Sequence, residues 1–152
     1  MANLFRCGGG GIPRNILLNR KYGLNKEVTG ELNKYLFGGG DAYHGLFFGC
    51  KNTEYADLCF IAINSTHVPI TYFQKKIDLT NVNSIEFTVS HYSVGPITLS
   101  VGTTTNLGVK SVGANAKGTF SLNVSELSGE HYIGFLHGTS VTWGSVSEII
   151  LH

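Results

Sequence analysis

The chain alternates apolar and polar side chains along the stretch Ser84-Ile85-Glu86-Phe87-Thr88-Val89-Ser90. The same period of two returns at Thr119-Phe120-Ser121-Leu122-Asn123-Val124 and at Tyr132-Ile133-Gly134-Phe135-Leu136. This period places one row of side chains on each face of a strand. One apolar and one polar face are typical of antiparallel sheets that share a core. The sequence therefore predicts an all-β fold, an antiparallel β-sandwich.

Further strands are predicted around this region, separated by segments rich in Asn, Gly, Ser and Pro. The predicted strands are 32–37, 45–50, 58–64, 70–78, 84–91, 96–102, 108–112, 118–124, 131–137, 140–143 and 146–151. Their spacing suits a sandwich or jelly roll. Residues 15–22 are compatible with either a helical turn or a strand. A single helical turn is expected at 124–129, with Ser125 as its cap.

The composition predicts one domain with an arm. Four consecutive glycines, Gly8 to Gly11, leave the backbone unrestricted, so residues 1–14 are predicted to form a flexible Gly-rich N-terminal arm. Residues 15–152 are predicted to form the β-sandwich (jelly-roll) domain. A phosphate-binding loop is excluded because no Gly-Lys-Ser/Thr follows these glycines.

Charge and hydropathy exclude several classes of partner. The formal net charge is +1 and charged residues make up 14% of the chain, which gives no electrostatic footprint for nucleic acid or anionic lipid. No run of about eighteen apolar residues predicts a membrane span. The N-terminus lacks the basic-then-apolar layout of a secretory signal, which predicts synthesis in a cytoplasm. The three cysteines are then expected as free thiols, with a Cys50–Cys59 bridge left open.

The sequence offers no catalytic signature, and we expect the protein not to be an enzyme. The Gly-x-Ser-x-Gly elbow of serine hydrolases does not occur. The six histidines lack the spacing that sets two imidazoles on one metal. His131 and His137 share the register of Ile133 and Phe135, so they are expected as partly buried structural residues. Carboxylates are many, but spacing cannot pair residues on different strands into a glycosidase site.

Aromatic side chains are the candidates for ligand contact. Sugar rings present apolar C–H faces that stack on aromatic planes, and amphipathic aromatics favour interfaces. Trp143 lies in a turn-rich segment between two predicted strands, and the alternative reading places it in the core. The loops 38–44 and 138–145 are expected to form the contact surface with Tyr92. The candidate carbohydrate-binding residues are Trp143, Tyr92, Tyr43, His44 and Asp41.

No cofactor is expected, and a structural calcium ion is left open. Calcium needs several convergent oxygen ligands. Asp41, Glu54 and Asp57 are the weak candidate metal ligands.

The segments 77–89, 118–135 and 146–151 resemble the galactose-binding-like jelly rolls of phage and prophage tail and receptor-binding proteins. The opening Met1-Ala2-Asn3-Leu4-Phe5-Arg6-Cys7-Gly8 resembles the start of small structural proteins from such prophages. The resemblance implies a virion component made in the bacterial host cytoplasm, a homo-oligomer with a trimer favoured. It also implies contact with a host-surface glycan, and it transfers no ligand residue because no binding motif matches.

These observations predict a non-enzymatic phage virion module, of the tail or receptor-binding kind. It would contact carbohydrate through loops at one end of the β-sandwich, and other virion proteins through residues 1–12. One alternative is a capsid or tail decoration protein with no small ligand. The other is a small polysaccharide hydrolase on the same fold.

Overall fold

A computed structural model describes residues 11–19, 21–30, 32–34, 45–47, 58–62, 70–92, 97–103, 108–136 and 142–152. In 32–34, 45–47, 58–62, 70–71, 91–92, 136 and 142–145 the description covers the backbone alone. The strands in these ranges are β1 (Ile16–Asn19), β2 (Gly23–Leu24), β3 (Leu32–Lys34), β4 (Gly45–Phe47), β5 (Leu58–Ala62), β6 (Ile70–Phe73), β7 (Ile77–Asp78), β8 (Ser84–Tyr92), β9 (Ile97–Gly102), β10 (Lys110–Ala114), β11 (Gly118–Asn123), β12 (Glu130–Leu136) and β13 (Thr142–Leu151). A helical turn, α1 (Lys26–Thr29), lies between β2 and β3.

Strand β13 forms the spine of the first sheet. Along one edge it pairs antiparallel with β8, which pairs in turn with β11. Its other edge is shared, because β5 pairs with residues 142–146 and β1 pairs near Ile149 and Ile150. Strand β4 extends the sheet beyond β5, and β2 extends it beyond β1. This arrangement holds both ends of β13 in place.

The second sheet has the antiparallel order β10-β9-β12-β6-β3. The short strand β7 pairs with the beginning of β12, where Asp78 lies opposite Glu130. Strands β10 and β11 follow one another in the chain but belong to different sheets. Residues 115–117 therefore carry the chain from the second sheet to the first.

The core lies between the two sheets and follows the predicted alternation. Ile85, Phe87 and Val89 of β8 are almost fully buried. The ring of Phe87 meets that of Phe135 on β12 nearly edge-on, with 6.4 Å between centroids. This contact joins the two sheets directly. The predicted antiparallel β-sandwich is confirmed.

Strand β1 buries two consecutive side chains, Leu17 and Leu18. A regular strand would turn them to opposite faces. The pairing of β1 with β13 shifts its register between Ile16 and Leu18, which gives the strand an extra residue at this point. Both leucines consequently add to the core, and residues 16–19 are a strand rather than a helical turn.

Two predicted strand boundaries are wrong. The strands predicted at 140–143 and 146–151 are a single strand, β13, which passes through Gly144 and Ser145. Glycine and serine weaken a strand pattern, but pairing on both edges overrides that local preference. The strand predicted at 70–78 is two, β6 and β7, separated by exposed residues 74–76.

The helical turn predicted at 124–129 is also wrong. Ser125 caps no helix; instead, its backbone N–H and its hydroxyl both donate to Asn123 Oδ1, at 2.9 and 2.8 Å. The side chain of Asn123 thus closes a turn after β11, an alternative that Asn offers to helix formation. The strand predicted at 108–112 is displaced to 110–114, where it pairs with β9.

Hydrogen bonds join Pro13 to the sandwich. The Asn25 side-chain amide donates to Pro13 O at 3.2 Å and to Ile16 O at 3.0 Å. Residues 1–10 lie outside the described residues, so the predicted flexible arm and its boundary at residue 14 stay predictions.

Candidate functional site

Strand β8 connects two ends of the sandwich that have different chemistry. It runs from Ser84 to Tyr92, which is about 26 Å at the usual rise of about 3.3 Å per residue. Antiparallel β13 runs the other way, so Leu151 pairs with Ile85 at one end and Gly144 pairs with Tyr92 at the other. We call these the polar end and the aromatic end.

The aromatic end contains two of the residues predicted to bind carbohydrate. The register sets Tyr92 opposite Gly144, which places Trp143 one residue from the pairing partner of Tyr92. Trp143 itself pairs with Ile61 of β5. Two aromatic residues far apart in the sequence are thus neighbours in one sheet, at the level of the backbone.

The other predicted site residues are not placed. Tyr43, His44 and Asp41 lie outside the described residues, as do Glu54, Asp57 and His137. Within the part of the chain that the structure describes, no three His, Cys, Asp or Glu side chains come together where they could hold a metal ion. His131 is half-buried, and its Nδ1 lies 3.1 Å from Gly129 O, which agrees with the structural role predicted for it.

The polar end contains a cleft of about 390 Å³ that sequence reasoning missed. We call it the basal cleft. It is lined by Arg14, Asn15, Val28, Lys76, Ile77, Asp78, Thr80, Asn81, Val82, Glu130, Leu151 and His152. These residues come from separate segments of the chain, and none belongs to a recognisable motif. Folding alone brings them together.

The walls of the basal cleft are held by backbone hydrogen bonds. Asn83 N donates to His152 O at 2.6 Å, and His152 N donates to Ser84 O at 2.9 Å. Leu151 N donates to Asn15 O at 2.8 Å. The cleft is therefore formed by strand ends and tight turns rather than by side chains that must be ordered.

A hydrogen-bond chain fixes the turn that forms one wall. Thr80 N donates to Asp78 Oδ1, and Gly129 N donates to Thr80 Oγ1, each at 2.9 Å. The hydrogen bond from the Thr80 backbone lowers the pKa of Asp78 below its usual value, and a hydrogen bond from the Thr80 side chain adds to this. Asp78 is consequently an ionised acceptor and not a proton donor at neutral pH.

Charges of both signs stand around the cleft. Lys76 Nζ lies 5.4 Å from the ring centroid of Tyr132, and Asp78 lies opposite Glu130 in the β7–β12 pair. Arg14 Nη1 reaches Glu27 Oε1 at 3.4 Å across an exposed surface. The rim therefore carries the cationic side chains of Arg14 and Lys76, the carboxylates of Asp78 and Glu130, and the imidazole of His152.

The floor of the cleft is apolar. Ile77 and Leu151 are buried, while Val28 and Val82 are half-buried. An apolar floor with a few polar groups around it is the usual composition of a small-molecule site. Chemically, the arrangement favours binding.

No protein-family model matches this chain, and no curated protein matches it either. Among the described residues, no helix is long and apolar enough to cross a bilayer. The two ends of the sandwich are therefore the features that bear on function.

Proposed function

We propose that this protein is a non-enzymatic structural module of a phage virion, of the tail or receptor-binding kind, that contacts host-surface carbohydrate at its aromatic end. The observation that carries the proposal is the register of β8 and β13. It brings the backbones of Tyr92 and Trp143 to the same end of the first sheet, one register position apart. The proposal also assumes that the β-sandwich has the galactose-binding-like jelly-roll topology.

Aromatic residues at a sheet end suit a sugar ligand for a physical reason. Tyrosine and tryptophan each combine an apolar ring with one polar group, so one side chain can meet a sugar's C–H face and its hydroxyls. Binding of this kind is weak for each site. A symmetric oligomer presents several sites at once, and the resulting avidity can exceed the affinity of one site by a large factor.

Asp78, in the basal cleft, lacks the raised pKa that the acid of a glycosidase needs. A glycosidase needs a carboxylic acid whose pKa is raised, so that it stays protonated and can donate to the leaving group. The hydrogen bonds from Thr80 move the pKa of Asp78 the other way. Asp78 therefore suits an acceptor of hydrogen bonds from a bound ligand.

The test is a glycan array probed with the full-length chain and with the variants Trp143→Ala and Tyr92→Ala. We expect binding to one class of bacterial surface glycan, reduced by either substitution while the circular dichroism spectrum is retained. Tyr22→Ala is the matched control, since Tyr22 is an exposed tyrosine in the turn between β1 and β2.

Two results would contradict the proposal. A stable oligomer without glycan binding would favour a capsid or tail decoration protein. Turnover of a polysaccharide, lost on replacing one carboxylate, would identify a hydrolase instead.

A further inference from the structure

We infer that the basal cleft is a second binding site, and that it takes a neutral saccharide of one or two pyranose rings. The inference goes beyond the proposed function, because the cleft lies at the opposite end of the sandwich from Tyr92 and Trp143. It rests on the volume of the cleft, its rigid frame and the balance of its charges.

The volume suits a small ligand. About 390 Å³ lies within the range of about 300 to 1,000 Å³ that is usual for small-molecule sites. One or two sugar rings fill a space of that size. The rest of a long polysaccharide would have to extend out of the cleft into solvent. The cleft would therefore recognise a terminal unit or a free mono- or disaccharide.

The frame is formed before any ligand arrives. The hydrogen bonds from Asn83 to His152 and from Leu151 to Asn15 fix two walls, and the Asp78–Thr80–Gly129 chain fixes the turn between them. A preformed site avoids the entropic cost of ordering loops on binding. Even a weak ligand can therefore bind measurably.

The charges select against ions of either sign. An anion drawn to Lys76 would meet Asp78 and Glu130 nearby, and a cation would meet Lys76 and Arg14. A hydroxyl group both donates and accepts, so neighbouring hydroxyls can donate to a carboxylate and accept from an ammonium group. A neutral polyhydroxylated ring satisfies both kinds of group at once.

The apolar floor completes the match with a sugar ring. Val28 and Val82 line the cleft and are half-buried, so they offer it an aliphatic surface, whereas Ile77 and Leu151 are buried in the core. A pyranose has an apolar C–H face and an equatorial rim of hydroxyls. Its C–H face can pack on the apolar surface while its hydroxyls bond to the polar rim. A free amino acid or phosphate would leave this floor uncovered.

Asn81 lies in the tight turn at this rim. Its φ of 63° lies in the left-handed region, where non-glycine residues are uncommon and glycine is at ease. Its side chain is exposed and lines the cleft. Asparagine adopts this conformation more readily than most residues, and its side-chain amide offers the cleft an NH2 group with two donors and an acceptor oxygen.

The test is an NMR titration of the ¹⁵N-labelled full-length protein, read at the amides of the cleft turn and of His152. The probes are glucose, galactose, N-acetylglucosamine and lactose, with inorganic phosphate, calcium chloride and glycine as ionic and zwitterionic comparisons. We expect at least one neutral saccharide to shift these amides in a saturable way and the three comparisons to leave them unmoved. The shifts should persist in Trp143→Ala, which separates this site from the aromatic end.

Substitutions then test the contacts. Glu130→Gln should raise the dissociation constant about tenfold, because hydrogen bonds to a charged group are the stronger ones. Asn81→Gly should raise it about fivefold without loss of fold, since glycine accepts this φ. Glu126→Gln is the matched control: Glu126 is an exposed carboxylate that pairs with Lys110 outside the cleft, and its replacement should change nothing.

Three outcomes would overturn the inference. The first is that no neutral saccharide shifts the cleft amides. The second is that phosphate, calcium or glycine shifts them and the saccharides do not. The third is that Glu126→Gln weakens saccharide binding as much as Glu130→Gln. Failure of glycan binding at Trp143 with the cleft shifts intact would overturn the proposed function alone.

Discussion

Asp78 and Asn123 perform the same task at two turns of the chain. Each offers a side-chain oxygen to the backbone N–H two residues later, at 2.9 Å in both cases. Short side chains with an acceptor can close a turn in this way. The backbone N–H of the turn then needs no carbonyl partner. The two residues differ in charge: Asn123 is neutral, whereas Asp78 is a carboxylate and lines the basal cleft.

We predict that Asp78→Asn loses stability at neutral pH and loses none in acid. The pKa of Asp78 is lowered by the hydrogen bonds from Thr80, although Glu130 lies opposite, so the folded state favours the charged form. The resulting stability is fully present above the unfolded value, near 3.8, and disappears as pH falls through the folded pKa. Urea midpoints of the two proteins should differ at neutral pH and converge toward about pH 2.

The reverse exchange is the control for this prediction. Asn123→Asp places a carboxylate in the equivalent turn, and its extra stability should likewise vanish in acid. A gap between the urea curves of wild type and Asp78→Asn that stays constant from neutral pH to acid would show that charge plays no part.

Gly30 and Gly23 form a matched pair for backbone strain. Both have positive φ, at 67° and 75°, but a Cβ on Gly30 would lie 3.0 Å from Gln74 Oε1 and 3.2 Å from Gln74 Cβ. A Cβ on Gly23 would meet nothing within 4 Å. We predict that Gly30→Ala costs about 2–3 kcal/mol and Gly23→Ala about 1 kcal/mol of unfolding free energy, measured in urea. Equal losses of unfolding free energy in the two variants would mean that the Gln74 side chain moves away from the new Cβ at little energetic cost.

At the scale of elements, the alternating strands could be predicted and the interruptions could not. Ile85, Phe87 and Val89 keep a strict period, and local pattern is enough to place β8. The continuity of β13 through Gly144 and Ser145 depends on two neighbouring strands, β8 and β5, that no local pattern reports. The break at residues 74–76 has the same cause, since β6 and β7 pair with different parts of β12.

The basal cleft was out of reach of sequence reasoning for a related reason. Arg14, Asp78, Glu130 and His152 share one rim only because β1, β7, β12 and β13 end at the same side of the sandwich. Their separations in the chain follow no motif. Tyr92 and Trp143 were predicted to share a contact surface; the register of β8 and β13 brings their backbones to the same end of the sheet, and the shared surface stays a prediction.

The main described contact between the two sheets is made by Phe87. Phe87 is fully buried and meets both Phe120 and Phe135, with centroids 5.8 and 6.4 Å away. We expect Phe87→Ala to lower the free energy of unfolding by about 3–5 kcal/mol, because it leaves a cavity between the sheets. Phe120→Ala, at a half-buried position on β11, should cost less in the same urea titration. An equal or larger loss at Phe120 would place the main inter-sheet contact elsewhere.

At the scale of the whole molecule, Lys110 connects the edges of the two sheets along one side. Lys110 on β10 donates to Asn123 O at 3.0 Å and pairs with Glu126 at 3.2 Å, just beyond β11. A lysine beside an edge strand also discourages pairing with another chain. We therefore expect this side to take no part in strand-to-strand assembly.

We predict that removing residues 1–12 abolishes self-association and leaves the sandwich folded. Pro13 O accepts hydrogen bonds from the Asn25 side chain and from Ile16 N, and a chain of residues 13–152 retains both. Light scattering should give three protomer masses for the full chain and one for the shortened chain. Thermal unfolding of the isolated sandwich should still be a single cooperative transition.

The matched control for the truncation keeps the chain length and replaces Leu4 and Phe5, the apolar pair of the segment, by serine. If apolar contact holds the protomers together, this variant should dissociate as the truncated chain does, because burial of two large apolar side chains contributes several kcal/mol for each protomer. A trimer that survives both changes would assign the interface to the sandwich itself. In that case the exposed residues Tyr22 and Val109 would be the first to replace, since large apolar surface is commonly covered at subunit contacts.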